Sequence, residues 1–78
     1  MNTQKTQVDT IAQIRALSGN TKQSVIALEM GVQEPAINKL ERKRVVDTSV
    51  KKLRQFVNAV GGTLTLNITL PDGTVMEI

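Results

Sequence analysis

The amino-acid sequence predicts a mainly α fold in which four helices are followed by a C-terminal β-hairpin. Apolar residues recur at helical spacing in four segments between residues 7 and 60. After two glycines the period changes to two, and residues 63–70 alternate polar and apolar side chains without a break. A chain of 78 residues without cysteine has a small core and no disulfide, so we expect a second subunit to complete that core.

The first two helices are predicted from apolar spacing and from residues that begin or end helices. Residues 7–17 predict the first helix, in which every third residue is apolar: Val8, Ile11, Ile14 and Leu17. Thr21 is expected to cap a second helix whose body is residues 22–30. Gly31 follows directly, and we expect it to end that helix in the left-handed conformation that glycine adopts readily.

The third and fourth helices follow the same logic. The third is predicted to run to about residue 42, with Pro35 in its first turn, where the missing N–H has no helical partner. Val32, just before that helix, is expected to be buried. The fourth helix is predicted at residues 49–60, and its apolar stripe makes Phe56, the only aromatic residue of the chain, a core residue.

The last sixteen residues predict a hairpin that joins two subunits. Residues 63–70 form the first strand, the Pro-Asp-Gly segment at residues 71–73 forms the turn, and residues 74–78 form the second strand. An isolated hairpin is marginally stable, and its unpaired edges attract another chain. We therefore expect residues 63–78 to mediate dimerisation. The side chains predicted to lie in the dimer interface are Leu64, Leu66, Ile68, Leu70, Val75 and Ile78.

The positive charge of the chain is concentrated in one segment. The net charge is +3, but residues 39–54 alone hold seven basic and two acidic residues, a local excess of +5. Such a segment attracts polyanions, of which phosphate backbones are the usual case. A solvated helix face is the alternative interpretation of the charge alone. We expect Arg42, Lys43 and Arg44 to contact phosphate because they directly follow the third helix.

Residues 22–42 have the spacing of a helix-turn-helix motif at a glycine-containing turn. In such a motif the second helix enters the major groove, which is about 12 Å wide. The predicted outer face of that helix offers Gln33, Glu34, Asn38, Lys39 and Arg42. Glutamine and asparagine suit adenine, lysine suits guanine, and glutamate can accept from cytosine. An ordinary polar helix face is the alternative interpretation.

The same segment resembles the Xre/Cro family, whose domain is lambda-repressor-like. The resemblance rests on Gln23, Ala27 and the run Gly-Val-Gln-Glu-Pro-Ala-Ile-Asn-Lys-Leu-Glu-Arg at residues 31–42, and it extends over about residues 7–60. It implies a DNA-binding domain at residues 1–62 and a structural role for Glu41. The base-reading positions that it implies are Gln33, Glu34, Pro35, Asn38 and Lys39. The phosphate-binding residues predicted with them are Lys22, Gln23, Arg42, Lys43 and Arg44.

The C-terminal hairpin extends the resemblance to HigA- and HipB-type antitoxins, which pair C-terminal strands across a dimer. This resemblance implies a homodimeric repressor on a palindromic operator of double-stranded DNA, with a cognate toxin protein as a further partner. Two alternatives stay open. The first is a phage-type or restriction-modification controller without a toxin, and the second is a protein-interaction module that does not bind DNA.

Composition argues against several other classes of protein. Without histidine or cysteine the chain lacks the commonest general base and the thiolate ligands of metals, so we expect no enzyme, no metal and no cofactor. No apolar run approaches the roughly 18 residues that span a bilayer. The polar N-terminus does not resemble a secretory signal. We therefore expect a cytoplasmic protein with no membrane contact.

Overall fold

The computed structural model describes residues 6–78, which form four helices and a two-stranded antiparallel hairpin. The elements are α1 (Ile11–Leu17), α2 (Gln23–Met30), α3 (Glu34–Glu41), a 3-10 turn (Val45–Asp47), α4 (Val50–Ala59), β1 (Asn67–Thr69) and β2 (Val75–Glu77). The predicted fold class is therefore confirmed. Residues 1–5 of the predicted DNA-binding domain, on which the expectation of no secretory signal partly rests, lie outside the described residues. The domain boundary at residue 62 stays a prediction.

Helix α1 begins at Ile11, four residues later than predicted. The residues before it pair instead with the segment that follows α3. The N–H of Val45 donates to the carbonyl of Asp9 at 2.8 Å, and Thr10 forms an antiparallel bridge with Arg44. The residues just before Ile11 are therefore extended and not helical, although the apolar spacing of the helix continues through them. Their pairing with the segment after α3 sets where α1 starts.

The N-caps of α2 and α4 also differ from the predicted helix starts. Lys22, and not Thr21, is the N-cap of α2, and its side chain makes no capping hydrogen bond. Ser49 is the N-cap of α4 rather than its first residue, and its hydroxyl accepts from the N–H of Lys52 at 3.2 Å. This capping bond satisfies one of the N–H groups that a helix start leaves unpaired.

The core lies where α1, α2, α3 and α4 meet. Its buried side chains are Ile11, Ile26, Ala27, Ile37, Leu40, Leu53 and Phe56. The core position of Phe56 and the left-handed conformation of Gly31, whose φ is 68°, confirm two predictions. The prediction that Val32 is buried is wrong, because this side chain stays 41% exposed in the turn between α2 and α3.

The hairpin is shorter than the alternating segment that predicted it. Its ladder pairs Asn67 with Glu77 and Thr69 with Val75. The carbonyl of Leu66 also accepts from the N–H of Ile78 at 3.0 Å. This bond between Ile78 and Leu66 is the last backbone bond of the hairpin. Within the described chain, residues 63–65 therefore have no partner strand.

The hairpin is fixed to the end of α4 by three attachments. The N–H of Gly62 donates to the carbonyl of Val57 at 2.9 Å. Leu64 packs against the helical core. The guanidinium of Arg54 donates through Nη2 to the backbone oxygen of Ile78 at 2.8 Å. The hairpin therefore has a defined orientation relative to the helices.

Candidate nucleic-acid interface

Helix α3 has one buried face and one polar face. Ile37 and Leu40 are 1% and 6% exposed and anchor the helix in the core. Asn38 and Lys39 lie on the opposite side and are exposed. Pro35 lies in the first turn, as predicted. The two faces arise because apolar residues three positions apart in the sequence share one side of a helix, so the side chains between them point to solvent.

A shallow, open groove runs along this polar face. Its lining residues are Gln23, Glu34, Pro35, Asn38, Lys39 and Arg42. The groove therefore brings together four of the five predicted base-reading residues and two of the predicted phosphate-binding residues. The fifth base-reading residue, Gln33, is the N-cap of α3 and lies in an adjoining depression beside Leu28 and Val32.

The charged and amide groups of this face are available for an external partner. Within residues 6–78, the side chains of Asn38, Lys39 and Arg42 take part in no hydrogen bond or ion pair of the chain. Lys39 and Arg42 place two positive charges beside the single negative charge of Glu34. The groove can therefore donate hydrogen bonds to acceptors of either bases or phosphates.

A buried carboxylate connects the groove to the core. Glu41, the last residue of α3, is 5% exposed. Its two carboxylate oxygens accept from different helices: Oε2 from Arg15 Nε at 2.5 Å, and Oε1 from Gln23 Nε2. One N–H of the Gln23 amide is thereby held in place at the start of α2, and the second is left for a partner in the groove. The arrangement agrees with the structural role expected for Glu41.

The other predicted phosphate-binding residues lie outside the groove. Lys22, Lys43 and Arg44 are exposed. Arg44 forms an ion pair with Asp9 at 3.1 Å, in which both side chains are more than 60% exposed. Exposed pairs of this kind are worth about 0–1 kcal/mol, so this contact leaves the guanidinium able to exchange partners.

The sequence analysis missed Arg15. It occupies the last turn of α1, where a basic side chain has the ordinary role of balancing the helix dipole. Nothing in the local sequence links it to Glu41, which follows 26 residues later. The structural role expected for Glu41 was the one signal that this glutamate has a basic partner. That signal did not identify which of the ten basic residues of the chain is the partner.

The register of the hairpin divides the predicted dimer-interface residues between two faces. Ile68 lies opposite Met76, and side chains directly opposite each other share a face. Leu66, Leu70 and Ile78 lie on that same face by alternation. Val75 pairs with Thr69 and lies on the other, more polar face. The predicted set therefore contains residues of both faces of the hairpin, and their place in a dimer interface stays a prediction.

The predicted dimer-interface residues also differ in exposure. Leu64 packs against the core of its own chain. Ile68, Leu70 and Ile78 are 43%, 37% and 57% exposed. The apolar face of the hairpin is therefore covered near the helices and open towards its tip.

No group of three potential metal-ligating side chains occurs within residues 6–78. Across the same part of the chain, no helix has both the length and the apolar character needed to cross a membrane.

The four-helix fold, with the exposed second helix of its helix-turn-helix motif, defines the chain as a helix-turn-helix protein. A comparison with known families gives the same class. A family model described as a helix-turn-helix domain matches residues 3–69. The chain belongs to this helix-turn-helix family.

Within that family the chain is similar to antitoxins of the HigA type. "Putative antitoxin HigA3" of Mycobacterium tuberculosis (strain ATCC 25618 / H37Rv) is 32% identical to it over 65 residues, which is 83% of this chain and 60% of the relative. The chain thus spans about three-fifths of the length of this curated relative.

Two solved structures of antitoxins share the whole architecture. One, described as "Induced DNA bending by unique dimerization of HigA antitoxin", superposes with a TM-score of 0.80 at 27% identity over 96% of this chain and 97% of that one. The other, "DNA bound antitoxin HigA3", superposes with a TM-score of 0.78 at 27% identity over 94% and 92% of the two chains. Both comparisons include the hairpin as well as the helices. They confirm the resemblance predicted from the sequence.

Proposed function

We propose that the protein is a sequence-specific DNA-binding repressor of the HigA antitoxin type, which acts in the cytoplasm as a homodimer on a palindromic operator. The observation that carries the proposal is the groove along α3, in which the side chains of Asn38, Lys39 and Arg42 are exposed and make no hydrogen bond or ion pair with the rest of the described chain. The similar proteins support it, since one is described as a dimer that bends DNA and another as bound to DNA.

The proposed reading surface follows the polar face of α3. Gln33, Glu34, Pro35, Asn38 and Lys39 face the bases, and Lys22, Gln23, Arg42, Lys43 and Arg44 face the phosphates. Asn38 and Lys39 occupy the middle of the groove and have the chemistry for adenine and guanine respectively. Around them, the phosphate-binding residues fix the register of the protein on the duplex without reading sequence.

The direct test is fluorescence anisotropy with a DNA fragment from the promoter of the protein's own gene. We expect specific affinity in the range of about 10⁻⁸–10⁻¹¹ M and a linear fall of log K with log salt concentration. Asn38→Ala and Lys39→Ala should each cost about 1–3 kcal/mol on the operator, and much less on unrelated DNA. Gln55→Ala, an exposed amide on α4, is the matched control and should leave both affinities unchanged.

Two outcomes would contradict the proposal. If Asn38→Ala and Lys39→Ala both leave the ratio of operator to non-operator affinity unchanged, α3 is not the reading helix. If the unmodified chain does not discriminate its promoter from unrelated DNA at any salt concentration, the alternative of a protein-interaction module without DNA binding is favoured.

The second proposed partner is a cognate toxin protein. Its support is the similarity to HigA antitoxins, and the test is the product of the neighbouring reading frame. We expect a small protein encoded there to co-elute with the chain in size-exclusion chromatography and to be neutralised by it in a growth assay. A neighbouring product that neither binds nor inhibits growth would favour the phage-type or restriction-modification controller.

A further inference from the structure

The buried carboxylate of Glu41 makes two contacts that have different consequences. Its Oε2 accepts from Arg15 Nε at 2.5 Å, and this ion pair joins the end of α3 to α1. A buried ion pair is by itself weak evidence for stability, because apolar side chains of similar volume often replace it at no cost. The other oxygen, Oε1, accepts from Nε2 of Gln23, which lines the groove of α3. The second contact therefore connects the buried charge to the proposed DNA surface.

The contact with Glu41 determines which end of the Gln23 amide is held. A side-chain amide has an NH₂ end that donates and an oxygen that accepts, and the two ends exchange places when the group turns over. An ionised carboxylate only accepts, so Glu41 bonds to the NH₂ end. Within residues 6–78 the Gln23 side chain makes no other hydrogen bond. Its second N–H is therefore available to a partner in the groove.

The orientation of this amide matters because a phosphate oxygen also only accepts. With its NH₂ end held by Glu41, the Gln23 amide can donate its second N–H to a phosphate. A reversed amide would present its oxygen and repel the phosphate. Holding the side chain in one orientation before DNA arrives also removes part of the entropic cost of ordering it at the interface.

The negative charge of Glu41 lies beside a surface that is proposed to bind phosphates, and Arg15 balances it. The carboxylate is 5% exposed, and the Arg15 guanidinium bonds to it on the side of α1. Lys39 and Arg42 add two positive charges to the groove itself. The carboxylate can therefore orient Gln23 without opposing the approach of DNA.

We propose that Glu41 is a positioning residue for DNA binding, which holds the Gln23 amide so that it donates to a phosphate of the DNA backbone. The inference rests on the proposed function and adds to it a role for a residue that does not itself reach the DNA. Phosphate contacts carry no sequence information. Loss of this contact therefore lowers the affinity for the operator and for unrelated DNA by similar factors, unlike the loss of a base contact.

The test compares Glu41→Gln, Gln23→Ala and the double variant by fluorescence anisotropy with the promoter fragment. Glu41→Gln keeps the size of the side chain, but its amide can bond to either end of Gln23. Gln23→Ala should weaken binding about ten-fold, the factor for one hydrogen bond to a charged group, and Glu41→Gln by about five-fold or more. The double variant should match Gln23→Ala to within about two-fold, because the two residues act through one contact.

Two controls separate positioning from stability and from charge. Ser49→Ala removes the N-cap of α4, far along the chain from the groove residues of α3, and lowers stability without touching the groove. Glu29→Gln removes an exposed carboxylate of α2. Circular dichroism selects a temperature at which every variant is folded, and there both controls should bind the promoter fragment within about two-fold of the unmodified chain.

A measurement on the unmodified chain needs no variant to fold. In NMR spectra of the free protein, one proton of the Gln23 side-chain amide should exchange slowly because Glu41 accepts it. Addition of the promoter fragment should shift the signal of the other proton. If both amide protons exchange fast in the free protein, or if DNA shifts neither of them, the proposal is overturned.

The outcomes also separate this role from the proposed function. Discrimination of the promoter by the unmodified chain tests the function and is measured first; its absence would remove the function and the positioning role together. With discrimination intact, a folded Glu41→Gln that binds the operator within about two-fold of the unmodified chain would remove the positioning role alone. Losses that multiply in the double variant, to about fifty-fold, would show that Glu41 acts independently of Gln23 and would also overturn the proposal.

Discussion

Replacing Glu41 with alanine should destabilise the fold more than any other single charge removal among residues 6–78. The carboxylate is 5% exposed and accepts from Arg15 and Gln23, which belong to two other helices. Breaking a buried ion pair by removing one partner costs about 3–5 kcal/mol. Arg15 keeps 28% of its side-chain surface exposed, so water compensates part of this loss. We expect a cost of about 2–3 kcal/mol.

That cost is a large share of the stability of a domain of this size, which is roughly 4–12 kcal/mol. Urea denaturation followed by circular dichroism measures it, and a thermal scan should show a fall in Tm of roughly 10–20 °C. Glu29→Ala, at an exposed glutamate on α2, is the control and should change the free energy of unfolding by less than about 0.5 kcal/mol. A Glu41→Ala variant within that same margin of the unmodified protein would refute the reasoning.

Three further predictions concern the turns and attachments of the chain. Ser49→Ala removes the hydroxyl that caps α4 and should cost about 1 kcal/mol in urea denaturation, whereas an effect below 0.2 kcal/mol would contradict the capping role. A hydrogen bond from the backbone N–H of Thr74 holds the pKa of Asp72 below its usual value. A group with a lowered pKa in the folded state stabilises that state above its unfolded pKa, so the turn should loosen as the pH falls through the lowered value. A Thr74 amide NMR signal that titrates in the unmodified chain but not in Asp72→Asn would confirm this. Arg54→Ala removes the contact with the C-terminal backbone oxygen. It should let the protein bind operators whose half-sites are moved by one base pair, and an unchanged spacing preference would contradict this role.

Local signals predicted most of the fold. Two of these signals involve only residues within one or two helical turns of each other. They are the apolar stripe that contains Phe56 and the glycine that ends α2. The period of two after the glycines likewise identifies a strand without knowledge of its partner. The polar face of α3 was predicted for the same reason, since Ile37 and Leu40 fix which side of the helix is buried.

The features that were not predicted depend on contacts between distant parts of the chain. The start of α1 is set by the backbone pairing of Asp9 and Thr10 with the segment after α3, and apolar spacing alone continues through those residues. The bond between Arg15 and Glu41 joins two helices whose relative position no local pattern encodes. The face on which Val75 lies depends on the register of the hairpin, which the turn geometry sets, and a shift of one residue exchanges the two faces of a strand.

The attachments of the hairpin connect dimerisation to operator geometry. Arg54 binds the backbone oxygen of Ile78, Leu64 packs in the core, and Gly62 bonds to Val57. Because these contacts fix the hairpin to α4, and α4 packs against α2 of the motif, pairing of two hairpins also fixes the distance between the two α3 helices. In the proposed dimer that distance must match half-sites separated by about one turn of DNA, roughly 34–36 Å. The folded dimer then selects operators by the distance between their two half-sites. The residues of the groove need only distinguish the bases within each half-site.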